Sequence, residues 1–178
     1  MTYFNELNKS MNFLSKKNHT IFLGQAVAEE GTAISNTLKD VSKNKLFELP
    51  VMEESQMGFS IGLAFAGFVP ITIYPRWNFL LLAINQLVNH LDKINKISNG
   101  VFCPKVIIRT SVGSVKPLHP QDQHVGDFTD SIKKMCTNIE IIQLKKSSDI
   151  LKSYKKAYSR KDKKSTLLVE YADFYNLK

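Results

Sequence analysis

Apolar and polar positions along this chain alternate between two rhythms. Short β-branched and apolar runs at 20–23, 46–49, 71–74, 106–109, 139–144 and 166–170 read as strands, and helical spacing fills the gaps between them. Residues 3–16 place Phe4, Leu7, Met11 and Leu14 on one stripe, which predicts a helix that docks on the sheet or on a partner. The most periodic stretch is 79–97. There Leu80, Ile84, Leu87, Leu91 and Ile94 step by four and three residues, and Leu81, Leu82 and Val88 widen the stripe. That pattern predicts one helix buried on two sides, the second side supplied by a subunit interface. The alternation as a whole predicts an α/β fold, a mainly parallel sheet with helices on both faces, in a single domain over 1–178.

Composition narrows the class. The chain has 178 residues, 43% hydrophobic and 22% charged, which is ordinary for a globular domain. Its longest apolar run, 79–84, is far below a membrane span, and Met-Thr-Tyr-Phe-Asn-Glu at the start carries no basic region leading into an apolar one, so a cytoplasmic protein without a membrane partner is expected. Cys103 and Cys136 lack CxxC spacing and read as reduced, structural thiols. The net charge of +8 is concentrated in Lys145, Lys146, Lys152, Lys155, Lys156, Arg160, Lys161, Lys163 and Lys164. Only Tyr154 and Tyr158 interleave there. This is a solvated face or a surface for an acidic partner, and no nucleic-acid motif accompanies it.

Candidate chemistry begins at residues 53–63, Glu-Glu-Ser-Gln-Met-Gly-Phe-Ser-Ile-Gly-Leu. A glutamate opening a run of small and apolar residues is expected to be partly buried. Burial disfavours the charged form of a carboxyl, which suits such a group to share a proton with a bound base. A helix N-terminus also favours Glu for stability alone, through the macrodipole. Gly58, Gly62 and Ala66, four apart, put small residues on one helix face that another helix could approach closely. Residues 110–125, with two Pro and two His, read as a long loop after a strand, where α/β sheets place ligands.

The spacing of Glu53, Gly58, Phe59 and Gly62 resembles the pyrimidine-domain signature of thiamin diphosphate enzymes. Further segments occur in the order found in the amino-terminal domain of the β subunit of 2-oxo acid dehydrogenase E1 components. They are Phe22-Leu23-Gly24, Pro50-Val51-Met52-Glu53, the Ala64 to Ile71 run, Trp77-Asn78-Phe79 with Ala83 to Asn89, Val106 to Thr110, and Leu168-Val169-Glu170. The resemblance covers about 20–172. It implies a transketolase-like pyrimidine-binding fold and a role for Glu53 at N1′ of the cofactor's aminopyrimidine. A carboxyl exchanging a proton there favours the imino tautomer, whose exocyclic nitrogen removes the thiazolium C2 proton. Glu54 is the neighbouring competitor for that role.

By the same resemblance Trp77 packs on the aminopyrimidine, with Met52 and Gly58 beside it, and His119 in Leu118-His119-Pro120-Gln121 assists proton or acyl transfer near the reactive end. His124 is the rival histidine. Arg76 either meets a substrate anion or is a surface charge. Where the family has acidic residues after its Leu-Gly, this chain has Gln25-Ala26, with Glu29 and Glu30 the nearest carboxylates.

Family members hold the diphosphate through a divalent metal on a Gly-Asp-Gly motif followed by an Asn. Gly126-Asp127-Phe128 is the nearest fragment here and lacks the second Gly. The resemblance therefore implies thiamin diphosphate shared with a partner chain, with Mg²⁺ bound by that partner, an E1 α-like diphosphate-binding subunit, in a homodimer or α2β2 heterotetramer. The expected enzyme acts on a 2-oxo acid by decarboxylation with acyl or aldehyde transfer. A split transketolase-like ketol transferase and a non-catalytic scaffold or regulatory module are the alternatives.

Overall fold

The computed structural model describes residues 2–29, 31–116 and 119–176. Glu30, one of the carboxylates named above, and Leu118 of the Leu-His-Pro-Gln motif lie outside the described residues. Thr2 caps the first helix, α1 (Tyr3–Ser15), by accepting the Asn5 N–H at 3.3 Å. The chain then forms β1 (Thr20–Gly24), β2 (Leu46–Glu48), α2 (Glu53–Phe65), β3 (Val69–Tyr74) and a short α3 (Trp77–Leu80). After a broken helical stretch ending in α4 (Ile94–Ile97) come β4 (Ile107–Val112), α5 (Thr129–Met135), β5 (Glu140–Gln143), α6 (Ser147–Ser159) and β6 (Thr166–Tyr171).

The six strands make one all-parallel sheet in the order β2-β1-β3-β4-β6-β5. Parallel strands must be covered on both faces, and successive side chains point to opposite ones. Ile107 and Leu168 accordingly join a core with Leu7, Met11, Ile150 and Tyr154 under α1 and α6, while Ile108 and Leu167 join a second core with Met57, Trp77, Leu80 and Leu87 under α2 and α3. The expected α/β architecture is the observed one. No helix of the described residues is long and apolar enough to cross a membrane.

The long helix expected over 79–97 is not continuous. It runs as α3, a 3-10 turn (Leu81–Ala83), a π-helical turn (Gln86–Leu91) and α4. The wide turn, in which the Asp92 N–H reaches the Leu87 carbonyl at 3.0 Å, brings Leu87, Leu91 and Asp92 all inward. Periodicity could not show it, because the element is organised around a buried carboxylate. Asp92 is 1% exposed and accepts the backbone N–H groups of Thr137, Asn138 and Ile139, with Lys93 Nζ at 2.6 Å. Its neighbour Cys136 is a free thiol pushed up to about 12, by burial first and then by the Asp92 charge, which makes it a packing residue.

A second buried polar tie crosses the sheet. Arg109 on β4 meets Glu170 on β6 through Nε at 2.5 Å and Nη2 at 3.0 Å, and both side chains are fully enclosed. The Tyr154 and Tyr175 hydroxyls also donate to Glu170, so α6 and the C-terminal turn (Ala172–Asn176) converge on one carboxylate.

Burial alone would raise the Asp92 carboxyl, but the Lys93 ammonium and the three backbone N–H groups hold it below the ordinary range. A folded value below the unfolded one stabilises fully above the ordinary carboxylate range and is lost as pH falls through the folded value. Asp92→Asn should therefore cost about 2 kcal/mol near neutral pH and flatten the acid limb of stability against pH, read from urea midpoints between pH 3 and 7.

Candidate functional site

The order of the sheet sets where a site can form. From β1 the chain crosses to β2 on one side and then, through α2, to β3 on the other, so the carboxyl ends of β1 and β3 border a switch-point crevice. Gly24 ends β1 in a conformation with φ +148°, and a Cβ there would run into the Ile73 carbonyl. This close approach delivers Gln25 to the N-terminus of α2.

Glu53 is the first residue of α2 and is 3% exposed. Gln25 Nε2 donates to its Oε1 at 2.8 Å, and the Tyr74 hydroxyl donates to its backbone carbonyl at 3.2 Å. Its Oε2 makes no hydrogen bond to a described residue. Burial, then the Glu53 charge, raises the Tyr74 pKa, which keeps that hydroxyl a donor. One turn on, Gln56 Nε2 ties α2 to β3 through Thr72 Oγ1 at 2.9 Å and the Ile73 carbonyl at 3.0 Å. Glu54, by contrast, is exposed and accepts from Asn85 at 3.0 Å. The two neighbouring glutamates thus occupy different environments, and Glu53 is the one enclosed at the crevice.

The other expected site residues are placed unequally. Met52 precedes Glu53 and is exposed, and Gly58 is half-buried near Gln86. Trp77 is fully buried within the chain, edge-on to Phe128 at 6.4 Å and 79°. Its ring offers no open face to a flat ligand, so it is a core residue in this structure, and its buried Nε1 lacks a partner among the described residues. His119 is exposed, and among the described residues its Nδ1 accepts only from the Gln121 N–H at 3.1 Å. His124 is half-buried with its ring 5.5 Å from Phe79, and its carbonyl accepts from Arg76 Nη1 at 3.1 Å. No hydrogen bond among the described residues joins either histidine to Glu53. Arg76 is no surface charge: Nη1 also reaches the Gly113 carbonyl at 3.0 Å, clasping the turn after β3 to the loop after β4.

Two members of this arrangement carry little signal in the sequence. Gln25 stands out there only as a missing acid, although a long amide beside a buried carboxylate can replace a charge by a hydrogen bond. Tyr74 reads only as a strand residue. A cleft of about 580 Å³ lies elsewhere, at the amino ends of β5 and β6 among the paired charges Lys156, Arg160, Glu140 and Asp162. Its position opposite the strands' carboxyl ends and its internally paired charges argue against it as the site. Among the described residues no cluster of three or more His, Cys, Asp or Glu is placed to hold a metal ion.

The buried carboxyl with one oxygen held by an amide and the other open fits the ring nitrogen of an aminopyrimidine; the enclosed Trp77 does not fit stacking on it. No family model matches the chain. The chain is 31% identical over 133 residues to the mitochondrial pyruvate dehydrogenase E1 component subunit beta of Caenorhabditis elegans, covering 72% of this chain and 37% of that protein. It is 27% identical over 169 residues to the corresponding subunit of Cyanidium caldarium, covering 93% and 50%. Among solved structures, a split-gene transketolase described as an inactive β4 tetramer superposes with TM-score 0.72 at 14% identity, covering 97% of this chain and 52% of that one. The chain spans half or less of the length of these curated relatives. In sequence it is similar to part of E1 β subunits, and it shares its fold with the split-gene transketolase structure.

Gly24→Ala should cost about 3 kcal/mol, because the colliding atoms belong to two central strands that cannot move apart. The loss should show as a lowered denaturation midpoint.

Proposed function

From this kinship we propose that the chain is the pyrimidine-binding subunit of a thiamin diphosphate-dependent enzyme that acts on a 2-oxo acid with a partner chain. The observation that carries the reading is Glu53, buried at the crevice with one carboxyl oxygen held by Gln25. Bound between two chains, the cofactor would supply the carbanion that attacks a carbonyl and accepts the electrons of C–C cleavage. This chain's part is to present the Glu53 carboxyl to the aminopyrimidine nitrogen and exchange a proton there. Gln25 positions that carboxyl, and Tyr74 anchors the start of α2. Met52 and Gly58 border the ring on this reading, and His119 serves the reactive end if the loop closes when the partner binds. His124, already tied beside Arg76, is the alternative for that role.

Mg²⁺ and the diphosphate belong to the partner. The open flank of α2 and the segment after α3 supports such an assembly. Phe59 is 54% exposed and Leu82 60%, and nothing within 4 Å would meet a Cβ at Gly62, so the close approach permitted by the small residues is left to another chain. An α2β2 heterotetramer uses this flank. The two free cysteines suit a reducing compartment such as the cytoplasm.

Two other readings have an observation each. The likeness in fold to a split-gene transketolase favours ketol transfer. The enclosed Trp77 and exposed His119 favour a non-catalytic module that retains the fold.

Mixing the chain with its diphosphate-binding partner, thiamin diphosphate and Mg²⁺ should give 2-oxo acid consumption. Glu53→Gln should lower it by about 10²-fold or more without changing assembly; full activity in that variant sinks the Glu53 role, and activity on ketose donors alone selects the ketol-transfer reading. Phe59→Glu with Leu82→Glu should abolish co-elution with the partner on size exclusion while leaving the circular dichroism of the chain intact.

A further inference from the structure

A small cavity at the carboxyl edge of the sheet is left unused by this reading. It has a volume of about 190 Å³ and is lined by Ala33, Ile34, Pro75, Arg76, Ser111 and Ser114, among others. That is on the order of six water volumes, the size of a short acid. Arg76 enters it half-buried, with Nη1 fixed by the Gly113 and His124 carbonyls. These two bonds set the plane of the guanidinium and leave the opposite edge, Nε and Nη2, without a hydrogen bond to any described residue. That edge is the fork that pairs with a carboxylate through two parallel N–H···O bonds.

We propose that this cavity binds a short-chain monocarboxylate, its carboxyl group on the Nε–Nη2 edge of Arg76 and its alkyl part against Ile34 and Pro75. Ser114, half-buried with no side-chain hydrogen bond to a described residue, supplies a further donor for a 2-oxo or 2-hydroxy oxygen. Asp173 sets the charge selectivity. Its carboxylate accepts the Val115 N–H at 2.9 Å beside Gly113, and its field acts on Arg76. One guanidinium whose charge is partly offset by a nearby carboxylate tolerates a monoanion and disfavours a dianion such as phosphate. Burial lowers the Arg76 pKa and Asp173 opposes that shift, and a guanidinium stays charged throughout. The assignment does not rest on the chemistry of Glu53.

The test is a titration of the isolated chain, without cofactor, followed by ¹H–¹⁵N NMR at constant ionic strength. Pyruvate should shift the Gly113 and Ser114 amides and the Arg76 Nε–H saturably, with acetate weaker, phosphate at least about tenfold weaker and neutral hydroxyacetone inactive. Arg76→Lys, which keeps the charge but loses the fork, should weaken pyruvate about tenfold or more. Because Arg76 also clasps two loops, Ala33→Phe is the companion variant: it fills the cavity from an exposed position and should abolish the shifts with the fold unchanged. Glu53→Gln should bind pyruvate as the parent does, which separates this site from the proposed catalytic role. Absence of saturable shifts in the parent, undiminished binding in Ala33→Phe, or equal affinity for phosphate or hydroxyacetone would overturn the proposal.

Discussion

The parallel pairing of β1 with β3 is the constraint on which the rest depends. It is made at its end by backbone against backbone, Gly24 on the Ile73 carbonyl, with no room for a side chain between them. Because the chain leaves β1 for one side of the sheet and returns through α2 to the other, three different segments must meet at that end: Gln25, the N-terminus of α2, and the turn after β3. A parallel sheet has all its carboxyl ends at one edge, so the crevice follows from connection order rather than from any one side chain.

Two buried charges hold the remainder in register around this crevice. Glu170 gathers Arg109, Tyr154 and Tyr175, joining two strands, a helix and the C-terminal turn through one carboxylate. Asp92 does the same between the π-helical turn and the approach to β5. Each is enclosed and multiply bonded, the condition under which a buried charge is tolerated at all. Neither takes part in the proposed chemistry, and both leave the carboxyl edge free for it.

The proposed function is correspondingly a half-site. Glu53 is enclosed within this chain, while the flank around Phe59 and Leu82 stays open; on the proposed reading the partner that covers that flank also brings the other half of the cofactor site. Gln25 in place of an acid has a physical consequence, since an amide can orient the Glu53 carboxyl but cannot pass a proton to it.

Much of the fold was legible in the sequence because period-two runs of β-branched residues and helical stripes report directly which side chains leave water. Six strands, the first helix and the prominence of Glu53 followed from pattern and from family resemblance. What the pattern could not carry is any feature made by residues far apart in the chain. The broken helix over 79–97 depends on Asp92 meeting Thr137, Asn138 and Ile139, and the fate of Trp77 depends on Phe128 folding over its edge. Gln25 and Glu53 are 28 residues apart and meet only because β1 ends and α2 begins at the same edge. Local periodicity records burial against a face; only the tertiary structure decides which polar groups find one another there, since that is fixed by the path of the connections and not by the sequence on either side.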